Sequence, residues 1–560
     1  MFTMNICIQN PIEPGLLHQA IGKAHYYKGR FDRPSVYLPS AIRSFYTALQ
    51  TLTPETFPED HLKTIQFLIS AYLVLGDADN AQSLRIHGLE IFRQLLNNTP
   101  SPSRKHQLAT KFASFRQVVI DSLVQEGELN AALEAADRDK NLTLTWILEA
   151  WKEDIWSPSY SEMLSLLDAS TAAVYWHLSP DALTTFVLRA DATEAIAITP
   201  TTTRQQLQAF ETWLKEWNRD YQDYRGKKKE GTKDAYAEER QQHPWRTQLN
   251  TRLETLKNIL QIPTLEQELA GITRLILLPH HDLHRFPLQA LFDPRFTITY
   301  LPSMQVGLSL QQTDRQNAPL THWQQMTLLS VENPINDLQF AEIESGVVQQ
   351  MFHNSTTLDA NSATPPAVTA ALPTHPLFHF TGHGTYNVRQ PQNSALTLAD
   401  QEPLTAHTIR SLNLQNCALV CLSACETALT GNQTLEEEYV GLASAFLKAG
   451  VTSVVSTLWT VEEISNAWII IRFYELLLAG QPPDQALQQA QQWLQSVTYA
   501  ELVIWLQQVK LLLASAPLIA QQIDDGIQKI QQDPGKIESQ NPPYRDRYYW
   551  AAFTLTGRPS

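Results

Sequence analysis

The chain has 560 residues, of which 43% are hydrophobic and 18% are charged, a composition typical of a globular protein. This length is too great for one hydrophobic core, so we expect two to four folding units. The formal net charge of −15 argues against general attraction to nucleic acid or to an anionic membrane. Four cysteines do not make a disulfide framework in a chain of this size, which favours a cytoplasmic protein.

The first third contains three stretches that each read as a helix ending near a glycine, followed by a second helix opening with a small residue. The glycines are Gly29, Gly76 and Gly127, and the small residues are Ala41, Ala81 and Ala131. This pattern resembles tetratricopeptide repeats and predicts an α-helical region over residues 1–158. Such a region either presents a groove to a protein partner or is a helical layer that only packs on its neighbour.

The pattern changes from residue 172, where apolar runs of strand length are separated by Ser-Pro-Asp and Asp-Ala-Thr turns. It predicts an antiparallel meander of about three strands, then helices over residues 203–221 and 246–260. Between these helices, residues 225–245 are charged and poorly patterned, which predicts a mobile surface loop.

A buried strand is predicted over residues 275–278, and His280, His281 and His284 follow it. Three close histidines suggest zinc, but structural zinc sites usually include cysteine or paired ligand spacing, and neither occurs nearby. We therefore interpret them as polar turn residues and expect no metal.

The last 240 residues alternate between strand and helix patterns, which predicts a mainly parallel sheet with helices on both faces. The strands are predicted over residues 326–331, 377–381, 418–423 and 451–458, and the helices over residues 341–351, 439–448 and 463–479. A Gln- and Leu-rich helical stretch over about 501–530 resembles an insertion. Residues 548–555 predict a final strand that closes the sheet at an edge or in a cleft.

Two of these strands stop at reactive side chains. The first reads LFHFTGHGTYN, with His383 between Gly382 and Gly384, and the second reads ALVCLSACET, with Cys425 after small residues. A parallel sheet places its chemistry at the carboxyl ends of neighbouring strands. A thiol and an imidazole there are the nucleophile and base of a cysteine enzyme, or else two satisfied polar residues at a sheet edge.

Cys417 and Cys421 precede Cys425 with a spacing that matches no standard zinc or iron–sulfur site, and we assign both to the core. Cys425 lies beyond the strand, before a polar loop. If Cys425 attacks a carbonyl, the backbone N–H groups of Gly384 and Cys425 are the expected oxyanion donors. His379, inside its strand, is expected either to be structural or to support the site residues from behind.

Six ordered blocks look like the CHAT family, which is similar to caspases and belongs to the caspase–separase–gingipain group of cysteine peptidases. The blocks are LILLPHHDLHRFPLQALF, ITYLPS, FHFTGHGTYN, VCLSACETALTGN, EEYVGLASAFLKAGVTSVVSTLWTVEE and YYWAAFTLTG. The resemblance implies a catalytic dyad of His383 and Cys425. It also implies an inactive pseudo-caspase half over residues 159–320 and a catalytic half over residues 321–560. Family members often have Asp shortly after the LW block, where this chain has TVEE.

The expected function is that of an intracellular caspase-like cysteine endopeptidase without a cofactor. Pocket candidates are Glu332, Glu462 and Glu463, whose carboxylates favour a basic residue before the cut, and Trp459, which is expected to form the wall of a subsite. By resemblance, the chain is latent until a protein partner or signal acts through the helical region, in bacterial defence, regulated proteolysis or cell death. The alternative is a catalytically silent scaffold that binds protein partners. Nucleic-acid and nucleotide motifs are not found.

Overall fold

The computed structural model describes residues 12–148, 156–179, 182–198, 203–226, 240–314, 323–338, 340–385, 391–424, 441–459 and 462–559. These residues form two compact units, of which the first covers the chain up to Tyr160 and the second most of the remainder. No helix in the described ranges is long and apolar enough to cross a membrane.

The first unit is helical. Its helices are α1 (Ile12–Phe31), α2 (Pro34–Leu49), α3 (Pro58–Leu75), α4 (Ala78–Asn97), α5 (Pro102–Lys111), α6 (Ala113–Gln125) and α7 (Leu129–Leu148). Consecutive helices pack as the pairs α1–α2, α3–α4 and α6–α7. Gly76 and Gly127 adopt the left-handed backbone, with φ of 76° and 81°, which lets the chain turn between paired helices.

The first helix pair differs from the prediction, because Gly29 lies inside α1 and does not form the turn. A Cβ atom at Gly29 would lie 2.9 Å from the Leu38 side chain, so this glycine allows α1 and α2 to approach closely. The chain instead turns after Phe31, where Arg33 takes a φ of 44°.

The second unit is built on a mixed sheet. Its strands are β1 (Thr171–Leu178), β2 (Leu183–Arg189), β3 (Ile196–Ile198), β4 (Arg274–Leu278), β5 (Thr297–Tyr300), β6 (Thr327–Glu332), β7 (Asn354–Leu358), β8 (Leu377–Gly382), β9 (Gly384–Thr385), β10 (Ala395–Thr397), β11 (Pro403–Thr405), β12 (Leu419–Ala424), β13 (Ser453–Thr457) and β14 (Phe553–Gly557). Among described strands, the large sheet has the order β3-β2-β1-β4-β5-β14-β13-β12-β8-β6-β7. Strands β9, β10 and β11 form a separate small sheet.

The final strand corrects the prediction of an edge or cleft position. β14 lies in the interior of the sheet, parallel to β5 and antiparallel to β13, so it connects the strands of residues 171–300 with those of residues 327–457. It also starts later than predicted, because Arg547–Trp550 forms a helical turn. All five residues of β14 are buried, as expected for a strand with neighbours on both sides.

Burial explains which strands the sequence reveals. Every residue of β8, β12 and β13 is buried, and their near-continuous apolar runs are typical of parallel strands covered on both faces. The prediction missed β7, whose sequence NSTTL is polar and mostly exposed because the strand forms an edge.

Helices surround this sheet. They are α8 (Tyr160–Met163), α9 (Thr203–Gly226), α10 (Pro244–Thr247), α11 (Leu249–Ile259), α12 (Ile262–Glu268), α13 (Met304–Asp314), α14 (Ala341–Gln350), α15 (Pro365–Ala371), α16 (Ala406–Arg410), α17 (Leu442–Ala449), α18 (Glu463–Leu478), α19 (Pro483–Ser496), α20 (Tyr499–Leu511), α21 (Pro517–Gln531), α22 (Pro534–Glu538) and α23 (Arg547–Trp550). The helical insertion is the pair α20–α21, and α21 packs on α14.

Two interpretations of polar segments need correction. Trp245, at the end of the expected surface loop, is fully buried and stacks on Tyr224 at a ring distance of 4.8 Å. Residues 227–239 of that loop lie outside the described residues. His280, His281 and His284 are buried rather than exposed on a turn, and His280 stacks on His177 at 4.9 Å.

Candidate active site

His383 directly follows β8, at the carboxyl edge of the sheet. β8 pairs in parallel with β12 over six residues, and the last pair is Gly382 with Ala424. His383 and Cys425 are therefore the next residues in sequence after a matched pair on neighbouring parallel strands. Cys425 itself lies outside the described residues.

Asp337 holds the imidazole of His383. The His383 Nε2 atom lies 2.9 Å and 3.1 Å from the two carboxylate oxygens of Asp337. Because Nε2 is engaged in this way, Nδ1 is the ring nitrogen left to act as a base. Both side chains remain partly exposed, so the pair is open to solvent and to a substrate.

The loop after β6 presents Asp337 in this position. The Asn333 side chain accepts bonds from the N–H groups of Asp337 and Leu338 at 3.2 Å and 3.3 Å, and it donates to the Leu338 carbonyl at 3.0 Å. Asn333 and Asn336 both take a positive φ, a conformation that asparagine tolerates better than most residues. The sequence NPIND therefore encodes a tight turn with Asp337 at its end.

Gly384 begins a short strand with one N–H left outside the ladder. Gly384 lies opposite Leu396, and the adjacent bond runs from the Thr397 N–H to the His383 carbonyl at 2.9 Å. In an antiparallel ladder this makes Gly384 and Leu396 a non-hydrogen-bonded pair, whose N–H groups point away from each other. The Gly384 N–H is thus directed away from β10.

A cleft of about 50 Å³ lies at the carboxyl ends of β6, β8, β12 and β13. The cleft is lined by polar and aromatic side chains that could contact a substrate, namely Thr381, Ser423, Trp459, Glu344, Glu463 and Asn466. Glu344 is buried at the base with 1% exposure, whereas Glu463 is exposed at the rim. The cleft therefore combines two carboxylates with one aromatic wall.

The CHAT domain family matches the chain over residues 250–558. The chain belongs to the CHAT family. This match covers the second part of the predicted pseudo-caspase half and all but the last two residues of the predicted catalytic half. No curated protein sequence matches the chain.

The fold is similar to that of separase in the Saccharomyces cerevisiae separase–securin complex at 3.0 Å resolution. The TM-score is 0.52 at 10% identity, and the match covers 98% of this chain and 47% of that one. A second structure of the complex, at 2.6 Å, gives a TM-score of 0.47 at 12% identity with the same coverage. The CHAT chain therefore spans about half of the matched separase chain. The similarity to the first structure shows that the chain has a caspase-like fold, which follows an N-terminal helical region in the sequence.

The pocket candidates of this CHAT protein fall in different places. Trp459 lines the cleft and donates from Nε1 to the Tyr548 carbonyl at 3.1 Å, and Glu463 lies at the rim. Glu332 and Glu462 are not among the described lining residues. The Glu332 carboxylate accepts a bond from Gln349 at 3.1 Å, and burial raises its pKa to about 7. Burial also raises the pKa of Glu462, which nearby Arg246 partly opposes.

The cysteines assigned to the core are buried. Cys417 is 1% exposed and Cys421 fully buried, and burial raises the pKa of Cys417 to about 12. A thiol held in its protonated form is a poor nucleophile, so neither group is suited to attack a substrate.

Sequence reasoning missed Asp337 and Glu344. The turn-forming residues before Asp337 are a usable signal, because a polar turn after a core strand places its last side chain over the sheet edge. Glu344 has no such signal, since the segment AEIESGVVQQ resembles an ordinary amphipathic helix with an exposed carboxylate.

Proposed function

We propose that this chain is a caspase-like cysteine endopeptidase that uses Cys425 as nucleophile and His383 as base. The observation that carries the proposal is the pairing of Gly382 with Ala424, which makes His383 and Cys425 successors of matched residues. The Asp337–His383 contact supports it, because an imidazole that shuttles protons needs a partner to fix its ring.

The reaction begins when His383 accepts the thiol proton and the sulfur forms a bond to the scissile carbonyl carbon. The oxygen becomes an anion, which the N–H groups of Gly384 and Cys425 stabilise. Collapse of this intermediate breaks the C–N bond, and the imidazolium gives its proton to the leaving amine. Water, deprotonated by His383, then hydrolyses the thioester and releases the acid product and the thiol.

The cleft favours a basic residue before the cut. Glu463 at the rim and Glu344 at the base give it negative charge, and Trp459 provides an apolar wall for a long side chain. A Lys or Arg side chain matches this combination because its stem is apolar and its end is cationic. Glu332 and Glu462 would act only at longer range.

Control by a protein partner fits the helical first unit. Its helices expose large apolar side chains, among them Leu17 at 60% and Ile86 at 61%. Exposed apolar residues on paired helices offer a surface to a protein, and we propose that binding there relieves latency, in defence, regulated proteolysis or cell death. The free buried thiols suit a reducing compartment such as the cytoplasm.

A peptide library tests the activity and its preference together. The full chain, incubated with lysate fractions as a source of the partner, should cleave after Lys or Arg, and the Cys425→Ala and His383→Ala variants should not. Glu463→Gln should weaken the preference for basic residues about 3- to 10-fold. If Cys425→Ala keeps the full biological activity of the chain, the protein is a scaffold and the peptidase proposal is wrong.

A further inference from the structure

A chain of buried polar side chains runs beneath the sheet edge and connects the strand that leads to His383 with the strand that leads to Cys425. Its ends are Thr381 on β8 and Ser423 on β12, which are direct partners in the parallel ladder. Each lies two residues before one member of the proposed dyad. Both are only 3% exposed, so no solvent competes for their hydroxyl groups.

On the β8 side, the Thr381 hydroxyl lies 2.7 Å from the Ser345 hydroxyl and 3.0 Å from Nε2 of His379. The same His379 nitrogen lies 3.3 Å from Oε1 of Glu344. That last contact is an ion-pair distance without hydrogen-bond geometry, since Oε1 of Glu344 makes no hydrogen bond to the described residues. Thr381 is thus within hydrogen-bond distance of Ser345 on helix α14, and His379 brings it near a second side chain of that helix, Glu344.

On the β12 side, Asn466 of helix α18 completes the connection. Its Nδ2 donates to Oε2 of Glu344 at 2.9 Å and to the Ser423 hydroxyl at 2.5 Å. Asn466 is therefore the link between the carboxylate on α14 and the end of β12. Glu344 and Asn466 together bridge both strand ends, although neither residue lies on a strand.

The location of this chain of contacts argues for a role beyond folding. A buried carboxylate is costly, and a packed apolar group at the same place usually stabilises a core equally well or better. The β8–β12 ladder ends at Gly382 and Ala424, so among the described residues these two strands do not pair with each other beyond that point. The polar contacts from Ser345 and Asn466 hold Thr381 and Ser423, the pair just before the end of this ladder.

We infer that Glu344 and Asn466 are positioning residues that set the spacing between His383 and Cys425. This inference rests on the proposed function, because it assumes that these two side chains react together. A displacement of 1 Å between reacting groups can lower a rate about 100-fold. Loosening either strand end should therefore reduce the reactivity of Cys425 while leaving both members of the dyad in the chain.

Alkylation by iodoacetamide tests the inference on the activated full chain without a substrate. The rate at Cys425, followed by mass spectrometry of the modified peptide, should fall about 10- to 100-fold in Asn466→Ala and Ser423→Ala. Ser423→Thr, which keeps the hydroxyl, should restore most of the rate. The alkylation rate should also fall in Glu344→Gln, which keeps the shape of the side chain and removes its charge.

The matched control is Gln289→Ala, away from the cleft. Gln289 donates from Nε2 to the Ala551 and Phe553 carbonyls, both at 2.9 Å, and its Oε1 accepts from the Tyr300 hydroxyl at 2.5 Å, so its loss removes three hydrogen bonds, one more than Asn466→Ala. It should lower the midpoint of thermal unfolding but leave the Cys425 rate unchanged. If the network only stabilised the fold, Asn466→Ala would likewise lower the midpoint of thermal unfolding and leave the Cys425 rate unchanged.

The outcomes separate the inference from the proposal beneath it. If His383→Ala slows alkylation and the Asn466 and Ser423 variants do not, the positioning role is wrong and the dyad stands. If His383→Ala leaves the rate unchanged, the dyad is wrong and the positioning role falls with it. If Glu344→Gln impairs cleavage only after basic residues and leaves alkylation unchanged, Glu344 is a specificity residue rather than a positioning residue.

Discussion

Replacing Asp337 with alanine should slow peptide cleavage about tenfold without unfolding the protein. A hydrogen bond to a charged group contributes about 1.5–3 kcal/mol. The side chains of His383 and Asp337 are 33% and 49% exposed, which places this contact at the lower end of that range. Since about 1.4 kcal/mol corresponds to a factor of ten in rate, about 1.5 kcal/mol predicts a tenfold loss.

The assay is kcat/KM for a peptide with a basic residue before the cut, measured on the activated full chain. Asp337→Asn keeps an oxygen acceptor and should lose less than Asp337→Ala. The control is Asp525→Asn, an exposed carboxylate on α21 that accepts a bond only from Gln521 among described residues. Equal rates for wild type and Asp337→Ala would refute the claim that Asp337 orients the imidazole.

The turn before Asp337 allows a sharper form of this test. Asn333→Ala removes the side-chain bonds that hold Asp337 in place and should also slow cleavage. Because both changes disrupt the same contact with His383, their effects should not add in the double variant. Fully additive losses would mean that Asn333 acts on the rate by another route.

Three further predictions concern stability. Burial raises the pKa of Glu332 in the folded state to about 7 from a usual 4.5. The folded protein therefore binds more protons than the unfolded chain between these two pH values, and its stability falls as the pH rises through that window. Glu332→Gln should therefore raise the free energy of unfolding at pH 8 by up to about 3 kcal/mol and change little at pH 4.5, and no gain at pH 8 in denaturant titrations would contradict this. At Gly346, a Cβ would lie 2.0 Å from Cδ1 of Ile519, the end of a side chain that can rotate away, so Gly346→Ala should destabilise by no more than about 1 kcal/mol. A loss of more than about 2 kcal/mol in thermal unfolding would show that Ile519 cannot move aside. Gln491→Ala removes bonds of 3.0 Å to the Trp550 and Phe553 carbonyls and should lower the free energy of unfolding by about 1–3 kcal/mol, whereas wild-type stability would show that these bonds do not stabilise the packing of α19 on β14.

The parts of the fold that the sequence could reveal are those where burial acts on many neighbouring residues. The runs that form β8 and β12 are apolar because both faces of each strand are covered, and their ends identified His383 and Cys425 as candidates. The turns at Gly76 and Gly127 could also be predicted, because a left-handed backbone conformation between two helices strongly favours glycine.

The features that were missed depend on contacts between distant segments. β14 is the last strand of the chain and still lies in the middle of the sheet, and its own sequence contains nothing that specifies β5 and β13 as neighbours. Glu344 lies on a helix with ordinary amphipathic spacing, and its burial becomes visible only when His379 and Asn466 are brought around it. Gly29 shows the same limit. A glycine can lie inside a helix where a neighbouring helix packs closely, or at the turn that ends a helix, and the sequence alone did not distinguish these two cases.

The central claim is tested most directly by labelling the activated full chain with an electrophilic peptide that carries a basic residue next to the reactive group, with the labelled residue identified by mass spectrometry. The account predicts one labelled site, Cys425, with no label in Cys425→Ala and a rate at least tenfold lower in His383→Ala. Labelling of Cys425 at the same rate in wild type and His383→Ala would contradict it.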